Sequence, residues 1–404
     1  MRKSLARLAL VAVLLICCVV TTGCWDRMEL NDRAIILGWG MDLTKDGKYL
    51  ATANVVIPGG DKAGGTSGGQ NSFLIESAYG NSILDASQNI QKKLSRVLFP
   101  GHRRNIFIGE ELARHGLSEV LDEYTRNPMS RLRANIFIVK GDSAQRAMSL
   151  TYKLERNPAV AIQKVQEKLG VPEARSLLDF FTMLNGEGMP VMPSVRIVQP
   201  IMPPNGNPKK PNSPREVLQL EGSAIFGRDL KLRGYLSYQE YWVRLWTIQG
   251  LSGRFFFVPM ENHQNVVVRA ERLKSQITPD LRSDPIRFHI KLKAQAAVYE
   301  NNTSLDVGKP ENARKVEQAF NRQVQEQVEK VIEETQKKMK ADIFGLGRSI
   351  HHQHPYQWKK IKPVWDEEFK RVQVTVQVDM SIISTGVAGP ALIPKPAFED
   401  GGES

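Results

Sequence analysis

The chain has 404 residues, with 55 Lys and Arg against 43 Asp and Glu and a formal net charge of +12. All three cysteines, Cys17, Cys18 and Cys24, fall before residue 25, which excludes an internal disulfide or a cysteine-held metal centre in the body that follows. The cations are interleaved with acids, as in Glu326, Lys330, Glu333 and Lys337. No basic run carries interleaved aromatics, so nucleic acid is not an expected partner. The length suits two or three domains of about 100–200 residues each.

Met1 to Cys24 begins basic (Arg2, Lys3, Arg7), runs apolar from Leu8 to Val20 and exits through Thr21-Thr22-Gly23. Charge, then grease, then small residues is the order of a secretory signal peptide, read here as residues 1–23. The apolar part is short of the ~20 residues that span a bilayer. A cysteine at the cut, with glycine before it, is the bacterial lipobox arrangement, although Thr21 stands where leucine is usual. The expectation is a diacylglyceryl group on the Cys24 thiol, with cleavage leaving Cys24 as the new N-terminus. Each buried methylene contributes about 0.8 kcal/mol, so two acyl chains hold a soluble body on a membrane. An ordinary cysteine beyond an ordinary signal, or an uncleaved anchor, is the competing reading.

In the first part of the body, strand and helix signals alternate. Residues 34–41 and 49–57 read as strands turning at Lys45-Asp46-Gly47. The Gly-rich stretch 59–69 lacks the Gly-Lys-Ser/Thr ending of a phosphate loop and reads as a hairpin tip. Residues 73–78 read as a strand. Ile83, Leu84, Ile90, Leu94, Val97 and Leu98 then recur near helical spacing, with Asn81 or Ser82 as cap. Asn105-Ile106-Phe107-Ile108 echoes Asn135-Ile136-Phe137-Ile138 across an amphipathic segment, which predicts a parallel βαβ unit. Residues 143–184 are helical in pattern, broken at Asn157-Pro158 and Gly170-Val171-Pro172.

Eight prolines crowd residues 190–214, and a linker is placed at 196–214. It divides an N-terminal domain, 24–195, which can hold more than one unit, from a C-terminal domain, 215–390, with a tail at 391–404. In the second part, 217–226, 254–258 and 266–270 read as strands and 238–248 as a short helix. Phe288, Ile290, Leu292 and Ala294, and again Val372 through Ile382, alternate strictly with polar residues, the mark of a sheet wet on one face. Between them, residues 311–340 predict a helix with the stripe Val316, Phe320, Val324, Val328, Val331 or Ile332, and Met339, a narrow stripe that can cover one face of that sheet and little else. The fold class expected is α+β, multidomain, with mixed sheets and packed helices, including a C-terminal antiparallel or mixed sheet covered by one long helix.

Chemistry-bearing motifs are missing: no nucleophile elbow, Walker loop, dinucleotide fingerprint or zinc-protease helix occurs. His351-His352-Gln353-His354-Pro355 lacks a local cysteine or carboxylate to complete a metal set and is read as a surface or half-buried loop. Asp366, Glu367 and Glu368 are consecutive, which does not suit an acid/base pair. No catalytic, cofactor-binding or metal residue is assigned, and a non-enzymatic body is expected.

Two stretches resemble a known family. Gly23-Cys24-Trp25-Asp26-Arg27-Met28-Glu29-Leu30, followed by Gly38-Trp39-Gly40-Met41-Asp42, is similar to the opening of the GerC-type (Ger(x)C) spore germination lipoproteins. Ile343-Phe344-Gly345-Leu346-Gly347, then Trp358, Trp365 and the strand ending at Ser384-Thr385-Gly386, resembles that family's C-terminal pattern. The resemblance implies the lipid-anchored C subunit of a nutrient germinant receptor. It implies integral membrane A and B subunits as partners and a place on the outer surface of the spore inner membrane. It carries the lipid onto Cys24 and no ligand residue onto any position. A lipid-anchored substrate-binding protein of an importer, an envelope hydrolase and a structural adaptor are the alternative readings.

Overall fold

The computed structural model describes residues 12, 29–57, 73–127, 130–150, 152, 154–155, 157–169, 176–199 and 216–386. Cys24, the 59–69 loop, the Gly170-Val171-Pro172 break, most of the 196–214 stretch and the 391–404 tail lie outside them. In chain order the first strands are β1 (Arg33–Leu43), β2 (Tyr49–Val56) and β3 (Phe73–Gly80). Then come α1 (Ile83–Gln91), β4 (Val97–Phe99), β5 (Asn105–Gly109), α2 (Glu110–His115), α3 (Ser118–Arg126) and β6 (Asn135–Val139). Three helices follow, α4 (Ala144–Ser149), α5 (Pro158–Lys168) and α6 (Leu177–Leu184), before β7 (Val191–Val198), β8 (Val217–Phe226) and β9 (Leu232–Ser237). The C-terminal part holds α7 (Tyr238–Thr247), β10 (Gly253–Pro259), β11 (Asn265–Asp280), β12 (Arg287–Asn301), α8 (Pro310–Glu334), α9 (Leu346–Gln353), α10 (Pro355–Ile361), α11 (Trp365–Glu368) and β13 (Gln373–Ser384).

Two mixed sheets organise these elements. The first has the order β3-β2-β1-β5-β6-β7-β8-β9, with β4 beside β1. Its centre, β1, β5, β6 and β7, is parallel. The repeated Asn-Ile-Phe-Ile runs are the register-matched strands β5 and β6. Their isoleucines pack with Leu112, Leu121 and Tyr124 on one face, and Phe107 and Phe137 pack with Met148 and Ile162 on the other. A parallel strand between two helical layers is buried on both faces, and a continuous apolar run is what that requires. The echo therefore records shared burial.

The second sheet runs β10-β11-β12-β13, with β12 and β13 parallel. The inward residues Phe288, Ile290, Leu292, Val376, Val378 and Met380 form one core with Val316, Phe320, Val324, Val328, Val331 and Ile332 of α8. The α+β architecture and the sheet covered by a long helix are as the patterning predicts. The helix is shorter than expected, 25 residues or about 38 Å. It passes into a π turn at Thr335–Met339 and stops at Lys340, whose φ is +51°.

Other expectations are corrected. Helix α1 ends at Gln91; Val97 and Leu98 pair with Arg33 and Ala34 as β4, since the Gln91 side chain bridges Arg96 and Leu98 and turns the chain out of the helix. Ser82 is the N-cap, accepting from the Asp85 N–H at 3.1 Å. Strand β7 occupies the front of the proline-rich stretch, with Pro193 placed one residue before the ladder to β6 begins at Ser194. Strand β11 continues to Asp280 because a register shift between Glu271 and Lys274, with Arg272 at φ +50°, re-phases its side chains. The histidines at 351 and 352 lie on helix α9 and not on a loop. Strands β8 and β9, beyond the proline-rich stretch, complete the first sheet, so sheet membership changes only after Ser237.

Candidate functional site

The two sheets meet around one buried carboxylate. Asp342 follows the π turn and precedes Ile343-Phe344-Gly345-Leu346-Gly347. Its Oδ1 accepts from the N–H groups of Phe344 (3.2 Å) and Leu346 (3.1 Å). Its Oδ2 accepts from the Gly347 N–H (2.8 Å) and the Trp365 indole (3.2 Å). The chain can wrap a carboxylate this closely because Gly345 takes the left-handed conformation, φ +70°. Gly347 is required for a different reason: a Cβ there would stand 2.7 Å from Trp365 Nε1 and 2.8 Å from Trp358 Cη2. Burial raises the Asp342 pKa, and the N–H groups of Gly347 and Leu346 and the Trp365 indole oppose that rise. Both tryptophans are buried, with ring centroids 5.7 Å apart.

This loop also ties the sheets together. The Asp342 carbonyl accepts from the Met189 N–H ahead of β7 (3.0 Å), and the Ile343 carbonyl accepts from Nε of the buried Arg244 on α7 (2.7 Å). His351 on α9 lies 2.8 Å from Glu187. Around these groups opens a cleft of about 910 Å³, lined by Met183, Glu187, Arg244, Gln249, Arg348 and His351 among others. It holds both charge signs beside apolar wall, a setting for a small polar molecule or a partner's side chain.

A second buried carboxylate, Asp42, closes the Gly38-Trp39-Gly40-Met41-Asp42 run in the first sheet. It accepts from the N–H groups of Ala144 (2.7 Å) and Gln145 (2.9 Å) at the start of α4. Burial pushes this carboxyl up to about 6, against the pull of those two donors. Here too the glycines make room. A Cβ on Gly40 would lie 2.7 Å from Met148 Sδ and one on Gly38 3.0 Å from the Ala159 Cβ, so α4 and α5 lie directly on β1. On the opposite face Trp39 covers the buried Arg103, whose Nη1 donates to the Tyr124 hydroxyl at 2.9 Å.

The sequence motifs thus mark two packing centres. The tryptophans expected from the C-terminal pattern do converge, on Asp342. His351 and His352 lie edge to face with ring centroids 6.2 Å apart, and among the described residues no three of His, Cys, Asp and Glu are placed to hold a metal ion. Asp366 pairs with Arg228 at 3.4 Å, Glu367 with Lys370 and Glu368 with Arg371, so the acidic triplet is spent on the surface. Asp342, Arg244 and Glu187 were not singled out by sequence reasoning. The available signal was an aspartate just ahead of a Gly-x-Gly turn that enters a helix.

Comparison with known proteins follows the same two parts. A family model described as "Spore germination protein N-terminal domain" matches residues 26–197, and one described as "Spore germination B3/ GerAC like, C-terminal" matches residues 221–386. The chain belongs to the GerC-type spore germination proteins. Among its relatives, Spore germination protein KC of Bacillus subtilis is 26% identical, covering 95% of this chain and 97% of that protein. Spore germination protein B3 of the same organism is 24% identical, over 91% and 95%. The crystal structure of the GerBC protein superposes with a TM-score of 0.54 at 20% identity, covering 86% of this chain and 97% of that one, and so shares its fold. Among the described residues of this GerC-type chain, no helix is long and apolar enough to cross a membrane.

Proposed function

We propose that this GerC-type chain is the lipid-anchored, non-enzymatic C subunit of a spore nutrient germinant receptor. In this reading it acts with integral membrane A and B subunits on the outer surface of the spore inner membrane. Signal cleavage leaves an acylated Cys24, and the two-sheet body stands beside the bilayer as a scaffold that transmits or permits the response to nutrient. The observation that carries the reading is the pair of family matches across nearly the whole chain, beginning two residues after Cys24. The charged groups of the inter-sheet cleft support a docking role more than a chemical one, since Glu187 and His351 are spent on each other.

The test is Cys24→Ala in spores. Membrane retention and nutrient-triggered germination should both fall, while germination by calcium dipicolinate, which needs no nutrient receptor in this reading, should persist. Full retention together with a normal nutrient response would overturn the assignment.

A further inference from the structure

The parallel strands of the first sheet have a common direction, so their N-terminal ends share one end of the sheet. Arg33 opens β1, and β4 pairs with it from Val97, directly after Arg96. Arg104 precedes β5, its N–H donating to Leu37 O at 2.8 Å. Arg131 and Arg133 precede β6, whose Asn135 N–H donates to Arg104 O at 2.7 Å. Lys92 follows α1 as the chain turns toward β4. Lys92, Arg96, Arg104, Arg131, Arg133 and the adjoining Val97 are exposed, and Arg33 lies over the Phe99 ring at 4.4 Å.

These cations differ from those elsewhere on the same sheet. At the opposite end, beyond the C-terminal ends of β5 and β6, Arg114 pairs with Glu110, Lys140 with Glu221, and Arg146 with Asp142 and Glu216. Among the described residues, no carboxylate is within ion-pair distance of Lys92, Arg96, Arg104, Arg131 or Arg133. The nearby acids have other partners: Asp122 is taken by Arg126 at 2.6 Å, Glu76 by Lys93 at 2.9 Å, and Glu123 accepts from the Asn127 amide at 3.2 Å; Glu29 and Asp32 lie on the segment entering β1. Lys45 and Lys48 of the β1–β2 turn apart, the cations named at the opposite end are ion-paired, whereas this end leaves five without an ion pair among the described residues.

The positive end is also where the chain arrives from Cys24. Arg33 follows Cys24 by nine residues, at most about 30 Å of fully extended chain. A bilayer holding that cysteine therefore lies within reach of the Arg33 and Arg96 rim before any other part of the sheet. The positions beside Gly38, where β5 and β6 begin, stand about 16 Å further in at the rise of a strand.

We propose that this positive end is the face the chain lays on an anionic lipid surface, with Lys92 and Arg96 meeting the headgroups, Val97 at the rim, and Arg104, Arg131 and Arg133 adding positive charge behind them. The proposal rests on the anchored reading given above and adds an orientation to it. The anchor supplies retention; the basic end fixes which way the body stands, and so which way the inter-sheet cleft opens. Attraction to an anionic leaflet decays within a Debye length, so the outer residues Lys92 and Arg96 carry the larger share.

The experiment uses the mature-length chain, residues 24–404 with Cys24→Ala, free of acyl groups. It is sedimented with vesicles of phosphatidylcholine alone and of phosphatidylcholine mixed with phosphatidylglycerol. Binding is expected only to the anionic vesicles and should weaken with salt. Replacing Lys92, Arg96, Arg104, Arg131 and Arg133 by Gln should weaken it at least ~10-fold, given about fivefold per well-placed cation. Replacing the four arginines by Lys should preserve it, which separates charge from folding damage. Lys291→Gln with Lys293→Gln, on the wet face of β12, should leave it unchanged. Equal binding to both vesicles, or undiminished binding by the Gln variant, would overturn the proposal. Mass analysis of the N-terminal fragment of native protein keeps the two readings apart. An unacylated Cys24 with anionic binding intact removes the anchor and leaves the basic end standing; an acylated Cys24 without lipid preference removes the basic end alone.

Discussion

Asp42 and Asp342 are both buried carboxylates that hold the start of a short helix beside a glycine-permitted close contact, yet they are built differently. Asp342 gathers its donors from its own loop, Phe344, Leu346 and Gly347, and adds only the indole of Trp365. Asp42 takes both of its donors from α4, a hundred residues away in sequence. The first site draws most of its donors from one turn, and the carbonyls of Asp342 and Ile343 accept from Met189 and Arg244 to tie the sheets together. The second exists only when β1 and α4 have already met. A local carboxylate turn specifies a junction; a distant one reports that a sheet has assembled.

The comparison can be broken most severely at Trp365. Its side chain is fully buried and donates to Asp342, so Trp365→Ala should cost about 3–5 kcal/mol in denaturant unfolding. If the loss is near zero, Asp342 does not depend on its aromatic lid. Asp342→Ala should follow at about 3 kcal/mol, because three backbone N–H groups and an indole lose their acceptor, against about 2 kcal/mol for Asp42→Ala, which strands two. Equal losses would erase the distinction between the two sites.

Acid titration sharpens the same contrast. The Asp42 carboxyl ionises near 3.8 in the unfolded chain and at about 6 in the folded one, so between those values the folded state keeps a proton that the unfolded state has lost. Stability from this group is therefore present at low pH and declines as pH rises, by about 2 kcal/mol between pH 4 and 6. Urea melts of Asp42→Asn across that range should show a shallower slope than the parent. The smallest effects belong to the glycines. Gly347→Ala presses on two buried rings and should cost about 1–2 kcal/mol, whereas Gly40→Ala meets the flexible Met148 thioether, with the Thr52 and Ala144 Cβ atoms at 3.2 and 3.3 Å, and should cost about 1 kcal/mol.

What was legible in the sequence followed the range of the interaction. The stripe of α8 and the alternation of β12 and β13 are set by burial on one face, so each reads directly from spacing. The Asn-Ile-Phe-Ile echo marked the parallel pair because those strands are buried on both faces, which demands a continuous apolar run. Strand β7 was hidden because Pro193 and its neighbours look like loop, and only pairing with β6 and β8 makes the segment a strand. The second half of β11 was hidden by its register shift, which breaks alternation where the side chains change face. The glycines and tryptophans around Asp342 stood in the sequence as a pattern, but the carboxylate they surround is a single ordinary aspartate, visible only once the turn is closed.

The first sheet draws β8 and β9 from beyond the proline-rich stretch, and this bears on how the molecule is made and cut. During synthesis β7 must wait, unpaired on one side, until β8 has emerged, the 28 residues after Val198 through Phe226. A chain cleaved near residue 205 would keep its parallel centre but offer β7 as a bare ladder to any neighbouring strand. Preparing the N-terminal half alone, ending before β8, should therefore give aggregates, while a fragment carried through Ser237 should stay monodisperse.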